Sequence, residues 1–398
     1  MTLKSSPLLT ILTTILLTLV VAAPLAPAQT FSVVATFTDI SQGLQPLGPL
    51  AIDAAGNLYG TAFLGGNSSS YGTVFKVDTS GHLSVLHAFT GTPDGWWPAG
   101  GVVVDKRGTH IFGATTRGGR TASFCGGQCG TIFKVDQTGK ETVIYRFGRM
   151  HELFGFFPQF GPIIGPDGAL YGTATFGNPN DTGVVFRLAK GVYTVLHSFG
   201  PNNAGPDGAY PQGPLLLDSA GNLYGTTGFG GASGNGTVFK IDPAGNETVL
   251  YSFTGGADGM QPWNNLVRDP GGNLYGTTFS SQFPGGNGVI FKLDPNGILT
   301  VLYTFAGGAD GGRAGGIVRD AAGNIYGTTG FLGTGGTLFK LDTTGKKTVL
   351  HTFSGGADGA GPGPLSMDTA GNIYGAATGG GDLSCIPAGC GVIFKLTP

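Results

Sequence analysis

Between residues 213 and 253 the chain alternates short apolar runs with turn residues. Pro214-Leu215-Leu216-Leu217-Asp218 is followed by Ser219-Ala220-Gly221-Asn222, then Leu223-Tyr224-Gly225-Thr226-Thr227. A glycine-rich stretch, 228–236, leads to Thr237-Val238-Phe239-Lys240-Ile241-Asp242. Pro243-Ala244-Gly245-Asn246 then precedes Glu247-Thr248-Val249-Leu250-Tyr251-Ser252-Phe253. The runs are short, rich in β-branched and aromatic residues, and bounded by Gly, Pro, Asn and Asp, which predicts four strands. No window keeps a 3.6-residue apolar period, so no helix is expected beyond the N-terminal segment. Asp-x-x-Gly separates the first strand from the second and the third from the fourth. Its Asp can cap a type I turn and its Gly can take the left-handed position that closes a hairpin. The unit is therefore an up-down-up-down antiparallel meander.

The unit recurs. Tyr59-Gly60, Tyr171-Gly172, Tyr224-Gly225, Tyr275-Gly276, Tyr326-Gly327 and Tyr374-Gly375, with Phe112-Gly113 as a variant, mark repeats about 50 residues apart. First-, second- and third-strand types each occur seven times, but the fourth type follows only six of them. The stretch 31–37, Phe-Ser-Val-Val-Ala-Thr-Phe, matches 83–89, Leu-Ser-Val-Leu-His-Ala-Phe, and supplies the missing strand. An N-terminal strand that completes the last unit closes a ring and leaves no seam. The expected fold is all-β: a seven-bladed β-propeller of four-stranded antiparallel blades, one domain over 29–398, closed by 31–37. In such a ring the first strand lies along the central channel and the fourth at the rim. The loops joining second to third strands, and fourth to the next first, share one face. They are also the variable loops, so that face is the natural binding surface. The Tyr of each Tyr-Gly pair is expected to pack between blades. Its Gly is expected to leave room for the Phe of Val-Phe-Lys.

Composition adds a compartment. The apolar run 7–23 followed by Ala26-Pro27-Ala28 reads as a signal peptide, 1–28, cleaved after Ala28. No second spanning run follows, so no transmembrane segment is expected in the mature chain, which should be extracellular, at the cell surface or periplasmic, and monomeric. Cys125 with Cys129, and Cys385 with Cys390, fall in second-to-third loops and are expected to form two local disulfides. A four-thiolate zinc site fits neither spacing. A formal charge of −2 with no basic stripe argues against a nucleic-acid partner.

The repeat Gly-Asn-Leu-Tyr-Gly-Thr-Thr, Gly-Thr-Val-Phe-Lys-x-Asp and Thr-Val-Leu-Tyr-x-Phe-x-Gly-Gly-Ala-Asp-Gly resembles the bacterial GloVer tandem-repeat family over residues 31–398. The resemblance implies an exported protein without an assigned activity. The order Pro-x-x-x-x-Asp-x-x-Gly-Asn-Leu-Tyr is also similar to NHL repeats, which implies a propeller and no chemistry.

Catalytic signals are sparse. Eleven of the 23 acidic residues are turn aspartates, and an isolated acid–base pair does not stand out. His87, His197 and His351 occupy the fourth-strand slot of Tyr145, Tyr251 and Tyr303, as packed strand residues would. No nucleophile elbow, zinc-protease motif or phosphate loop is present. Neither a cofactor nor a metal is expected. One constellation remains, the loop after the fourth strand: Asp94-Gly95-Trp96-Trp97-Pro98, Asp207-Gly208-Ala209-Tyr210-Pro211, Asp258-Gly259 with Trp263, Asp310-Gly311 and Asp358-Gly359. These aspartates, with Trp96, Trp97, Tyr210 and Trp263, could ring the channel mouth and bind a sugar or a cation. The plainer account is a structural turn with aromatics covering the blade tops. The functional expectation is a non-catalytic binder of a glycan, peptide or cell-surface component, the partner being carbohydrate or a surface protein. The alternatives are a propeller-scaffold lyase or hydrolase acting on polysaccharide or antibiotic, with Arg149, His151 and Glu152 as candidates, and a purely structural envelope protein.

Overall fold

The computed structural model describes residues 29–397 apart from 123–124, 127, 149–154, 178–179, 201–204, 281–285, 331–334 and 386–387. The expected signal peptide, and the trio Arg149, His151 and Glu152, lie outside the described residues. The chain forms seven antiparallel sheets in a ring. Blade 4 shows the plan: Ala209–Leu217, Leu223–Phe229, Thr237–Ile241 and Glu247–Ser252, each hydrogen-bonded to the next. Blade 7 is completed by Thr30–Thr36, which pairs antiparallel with Val392–Thr397 from Thr30↔Thr397 to Thr36↔Val392. Ser366 Oγ donates to the Leu50 carbonyl at 2.6 Å and ties blade 7 to blade 1. A short 3-10 turn stands at Gly308–Asp310.

The core lies between blades. Each of seven apolar clusters joins two neighbours: Tyr59, Val74 and Phe89 of blade 1, for example, pack with Val102, Ile111, Phe133 and Val135 of blade 2. One arrangement recurs seven times. The third-strand Phe (75, 133, 186, 239, 291, 339, 394) lies over the Gly of the Tyr-Gly pair in its own blade; a Cβ on Gly225 would stand 2.5 Å from Phe239 Cζ. The same ring receives, edge on, the Phe that ends the previous blade's fourth strand. Those pairs, among them Phe37–Phe75, Phe89–Phe133 and Phe199–Phe239, have centroids 5.1 to 5.8 Å apart. Edge-to-face pairs of this kind contribute about 0.5–1.5 kcal/mol each beyond burial.

The tight turns behave as the sequence implies and add a link. Asp218 Oδ1 accepts from the backbone N–H of Ala220 and Asn222, both at 2.9 Å. Its Oδ2 accepts from Asn222 Nδ2 and from the Tyr224 hydroxyl, at 2.9 and 3.0 Å. Asp53, Asp269, Asp320 and Asp368 hold Tyr59, Tyr275, Tyr326 and Tyr374 in the same way. The motif is thus Asp-x-x-Gly-Asn-x-Tyr, one unit that fixes a turn and an inter-blade tyrosine together.

Every fourth strand also carries a bulge at one place, between Val85 and His87 in blade 1 and between Val249 and Tyr251 in blade 4. The extra residue, Leu86 or Leu250, packs into the blade interface. The bulge re-aims that side chain and disrupts an otherwise flat outer edge.

Replacing Gly225 with Ala drives a methyl into Phe239. The expected loss is about 1–3 kcal/mol, the usual cost of overpacking a filled core, read as a lower denaturant midpoint. An unchanged midpoint would contradict the close fit.

Candidate functional site

The face with the variable loops is organised by a backbone joint repeated between blades. Three residues after each loop aspartate the chain turns left-handed. Trp97, Tyr210, Gln261 and Arg313 have φ of 59, 54, 57 and 49°, and Gly361 has 58°. Phe157 and Gln45 complete the seven with 57 and 56°. The N–H of this residue reaches back to the previous blade: Trp97 to the Tyr71 carbonyl at 2.9 Å, Tyr210 to Thr182 at 2.8 Å, Arg313 to Asn287 at 2.8 Å. At six of the seven joints a proline follows and packs on a glycine of the previous blade; Ala314 stands there after Arg313. A Cβ on Gly72, Gly183 or Gly391 would stand 2.6 Å from Cδ of Pro98, Pro211 or Pro46. Part of what reads as loop in the sequence is therefore strand extension. Ala209↔Phe229 and Pro211↔Thr227 are paired, and Trp96↔Arg117 and Phe156↔Phe176 form bridges.

Six of the seven left-handed residues carry a side chain, and four of them, Trp97, Phe157, Tyr210 and Arg313, join neighbouring side chains in an arc. Phe63 stacks on Trp97 with centroids 5.5 Å apart. The Arg117 guanidinium lies over Trp97 at 6.0 Å and over Phe157 at 4.2 Å. Phe157 meets Phe176 edge on at 5.9 Å, Phe176 meets Tyr210 at 5.2 Å, and Tyr210 meets Phe229 at 5.8 Å. Further round, Trp263 stacks on Phe279 at 4.5 Å, and Arg313 lies over Phe279 at 5.1 Å. These rings are half-buried, and Arg313 is exposed.

Trp96 and Trp263 are more deeply committed. Trp96 stacks on Tyr71 at 4.8 Å, Trp263 sits over Gly228, and neither buried indole N–H has a partner among the described residues. Trp97, Tyr210 and Trp263 are thus brought onto one face. Trp96 fills the joint between blades 1 and 2.

The five loop aspartates do not form a ring of carboxylates around the mouth. Each turns toward the fourth strand of its preceding blade and holds the start of its own loop. Asp258 accepts from the Thr254 N–H at 2.7 Å and from the Tyr251 hydroxyl at 3.0 Å. Asp310 accepts from the Ala306 N–H at 2.7 Å, the Tyr303 hydroxyl at 2.6 Å and Lys347 Nζ at 2.8 Å. Asp94, Asp207 and Asp358 face His87, His197 and His351 at 3.3, 3.2 and 2.9 Å. Burial alone would push the Asp94 carboxyl up, but hydrogen bonds from His87 and Thr90 outweigh it and hold it below the ordinary range. The next residue is glycine because it lies against a threonine of the second strand, Thr115 at Gly95 and Thr227 at Gly208. In the first copy the aspartate's part is taken by Gln42, whose Oε1 accepts from the Thr38 N–H at 2.8 Å. Asp39 instead caps Ser41, with Oδ1 2.7 Å from its N–H.

The residue that opens the next blade's fourth strand packs beside each pair. Phe31 stacks on His351 at 3.6 Å, Tyr193 stacks on Tyr145 at 4.3 Å, and Lys347 pairs with Asp310. Glu141 and Glu247 stand by the His87–Asp94 and His197–Asp207 pairs, each with a buried Oε1 that has no hydrogen-bond partner among the described residues. Burial raises both carboxyls to about 7, with Asp94 and Asp207 adding to the rise and His87 and His197 opposing it. The sequence shows these glutamates only as one more repeat slot.

Both expected disulfides are present, Cys125–Cys129 and Cys385–Cys390, with no free cysteine. They suit an oxidising compartment. Among the described residues no helix is long and apolar enough to cross a membrane, and no group of three or more His, Cys, Asp or Glu is placed to hold a metal.

A closed ring of seven four-stranded blades with an aromatic, loop-borne face defines the class, a β-propeller built from tandem repeats. The chain belongs to the Gloeobacter/Verrucomicrobia repeat family, whose pattern matches residues 24–215 and 161–394. No curated protein matches it in sequence. Among solved structures it is similar to the extracellular domain of a proposed hybrid two-component system from B. thetaiotaomicron, at 14% identity and TM-score 0.55, over 94% of this chain and 41% of that one. It is also similar to a proposed 6-phosphogluconolactonase from Bacteroides uniformis, at 14% identity and TM-score 0.50, over 80% and 88%. At such identities the likeness is one of fold.

Glu141 and Glu247 give a pH prediction. Their ordinary value is 4.5 and their folded value about 7, so between these the folded state binds more protons than the unfolded. The two glutamates therefore lower stability progressively as pH rises from 4.5 to about 7, and the loss is constant above that. In urea titrations at about pH 5 and about pH 8, Glu141→Gln with Glu247→Gln should lose less stability across the interval than the parent protein. Equal losses would rule out the assignment.

Proposed function

We propose that this chain is an exported, non-catalytic β-propeller that binds carbohydrate on its variable-loop face, along the arc of Trp97, Phe157, Tyr210 and their stacked neighbours. One observation carries the reading. The left-handed position between blades is a backbone requirement that glycine satisfies at Gly361, yet six copies place a larger residue there. A non-glycine residue in this conformation costs roughly 1–2 kcal/mol. The backbone of the joint does not require those side chains, so what they offer at the surface is the reason to keep them. Three consecutive copies offer half-exposed aromatic rings, linked to one another through Arg117 and Phe176, and pyranose faces stack on such rings.

The two disulfides support the exported setting. An enzymatic reading would need an acid and a base facing the mouth. None of the seven joint residues is a carboxylate, and the loop aspartates are engaged at the outer strands.

A polysaccharide panel in affinity electrophoresis tests this. Trp97→Gly and Tyr210→Gly keep a residue that tolerates positive φ, so the ring should stay folded by circular dichroism. Retardation by a bound polysaccharide should weaken about tenfold, as for aromatic anchors in other interfaces. Binding unaffected by both substitutions would remove the arc as the site.

A further inference from the structure

We infer that the ligand of this face is an acidic polysaccharide, a uronate-bearing chain whose carboxylates pair with Arg117 and Arg313 while its sugar faces lie on the neighbouring rings. The inference rests on the carbohydrate reading and specifies its chemistry.

Its warrant is the charge left open on the arc. Arg117 lies over Trp97 and Phe157 at 6.0 and 4.2 Å, and its hydrogen bond goes to the Cys125 carbonyl at 3.5 Å. Arg313 is exposed over Phe279 at 5.1 Å, and its backbone N–H is used by the joint. Among the described residues neither guanidinium has a carboxylate partner. This sets them apart from Arg187, which pairs with Asp167 at 2.5 Å, and Lys347, which pairs with Asp310 at 2.8 Å. A guanidinium stacked on an aromatic ring keeps its in-plane donors free, and that fork matches a carboxylate with two parallel hydrogen bonds.

The five loop aspartates are turned away. The carboxylates of Asp94, Asp207, Asp258, Asp310 and Asp358 face the fourth strands. The seven joint positions are therefore aromatic, amide, cationic or, at Gly361, bare backbone, and none of them carries a negative group. The two arginines also stand apart. One lies where blades 2 and 3 meet and the other where blades 5 and 6 meet, each beside its own aromatic platform. A single sugar carboxylate would engage one of them. A polymer with repeating carboxylates can engage both, and linking two weak contacts on one chain raises the effective concentration for the second.

The test uses the mature chain with polygalacturonate, alginate and hyaluronan, each paired with its carboxyl-reduced form, in affinity electrophoresis and calorimetry. The expected result is that at least one acidic polymer binds and its reduced form binds at least about tenfold more weakly. Arg313→Gln, at an exposed position where folding is not at stake, should weaken binding about fivefold or more, and Arg313→Lys should restore part of it. Arg117→Gln should do the same, and combined with Arg313→Gln it should flatten the dependence of affinity on salt.

Equal binding of acidic and reduced forms, or arginine variants that bind like the parent, would overturn the acidic ligand and leave carbohydrate binding standing. Failure of every acidic and neutral polymer to bind would overturn both.

Discussion

The structure depends on a phenylalanine ring clamped on two sides. Within a blade it lies on the bare backbone of a glycine, and across the interface it receives the edge of the phenylalanine that ends the previous blade. The glycine sets how close the second and third strands can carry bulky side chains, and the edge-to-face contact sets how one blade meets the next. Because this geometry repeats seven times, the ring's dimensions follow from a single packing arrangement. A side chain that fails to fit there shifts two neighbouring blades at once.

On that frame the loop face separates backbone from side chain. The joint between blades is carried by main-chain hydrogen bonds and by proline on glycine, so it makes almost no demand on the side chain of the residue at its centre. The chain places Gln45, Trp97, Phe157, Tyr210, Gln261, Arg313 and Gly361 at the same geometric station. This resembles the logic of recognition loops elsewhere: a rigid support with residue identity free to vary at chosen points.

The sequence made the ring legible because its signals are local and repeated. Strand runs, Asp-x-x-Gly turns, the count of fourth strands and the Tyr-Gly/Phe fit can all be read from spacing. What spacing does not show is which way a loop side chain turns. Asp94 and Trp97 sit three residues apart in one loop. The structure sends the first toward His87 at the fourth strand and the second toward Phe63 and Arg117 on the loop face. Positive φ at Gly95 and again at Trp97 separates the two directions, and at Trp97 no glycine announces it. The fixed offset of three residues from each loop aspartate, often just before proline, was the available clue. Gln42 in the aspartate's place was hidden for a related reason. It does the same hydrogen bonding with a different side chain, so a pattern written in residue letters passes over it. The fourth-strand bulges leave no mark either, since an extra residue in a regular repeat looks like part of the repeat.

The closing strand has a consequence for the order in which the molecule can be made. Thr30–Thr36 is synthesised before every other described strand, and its partner, Val392–Thr397, after all of them. Until that partner is made, Thr30–Thr36 lacks the strand it pairs with. Six blades can form in sequence as an open arc, but the seventh waits for Val392–Thr397, and only then do Pro46 and Gly391 meet. Pairing across the full length of a chain is slow because the ends must find each other. Until they do, the arc presents two unpaired edges at its open gap. The interval before closure is when this protein is most open to mispairing with another copy of itself, and its length is set by how quickly the last blade arrives.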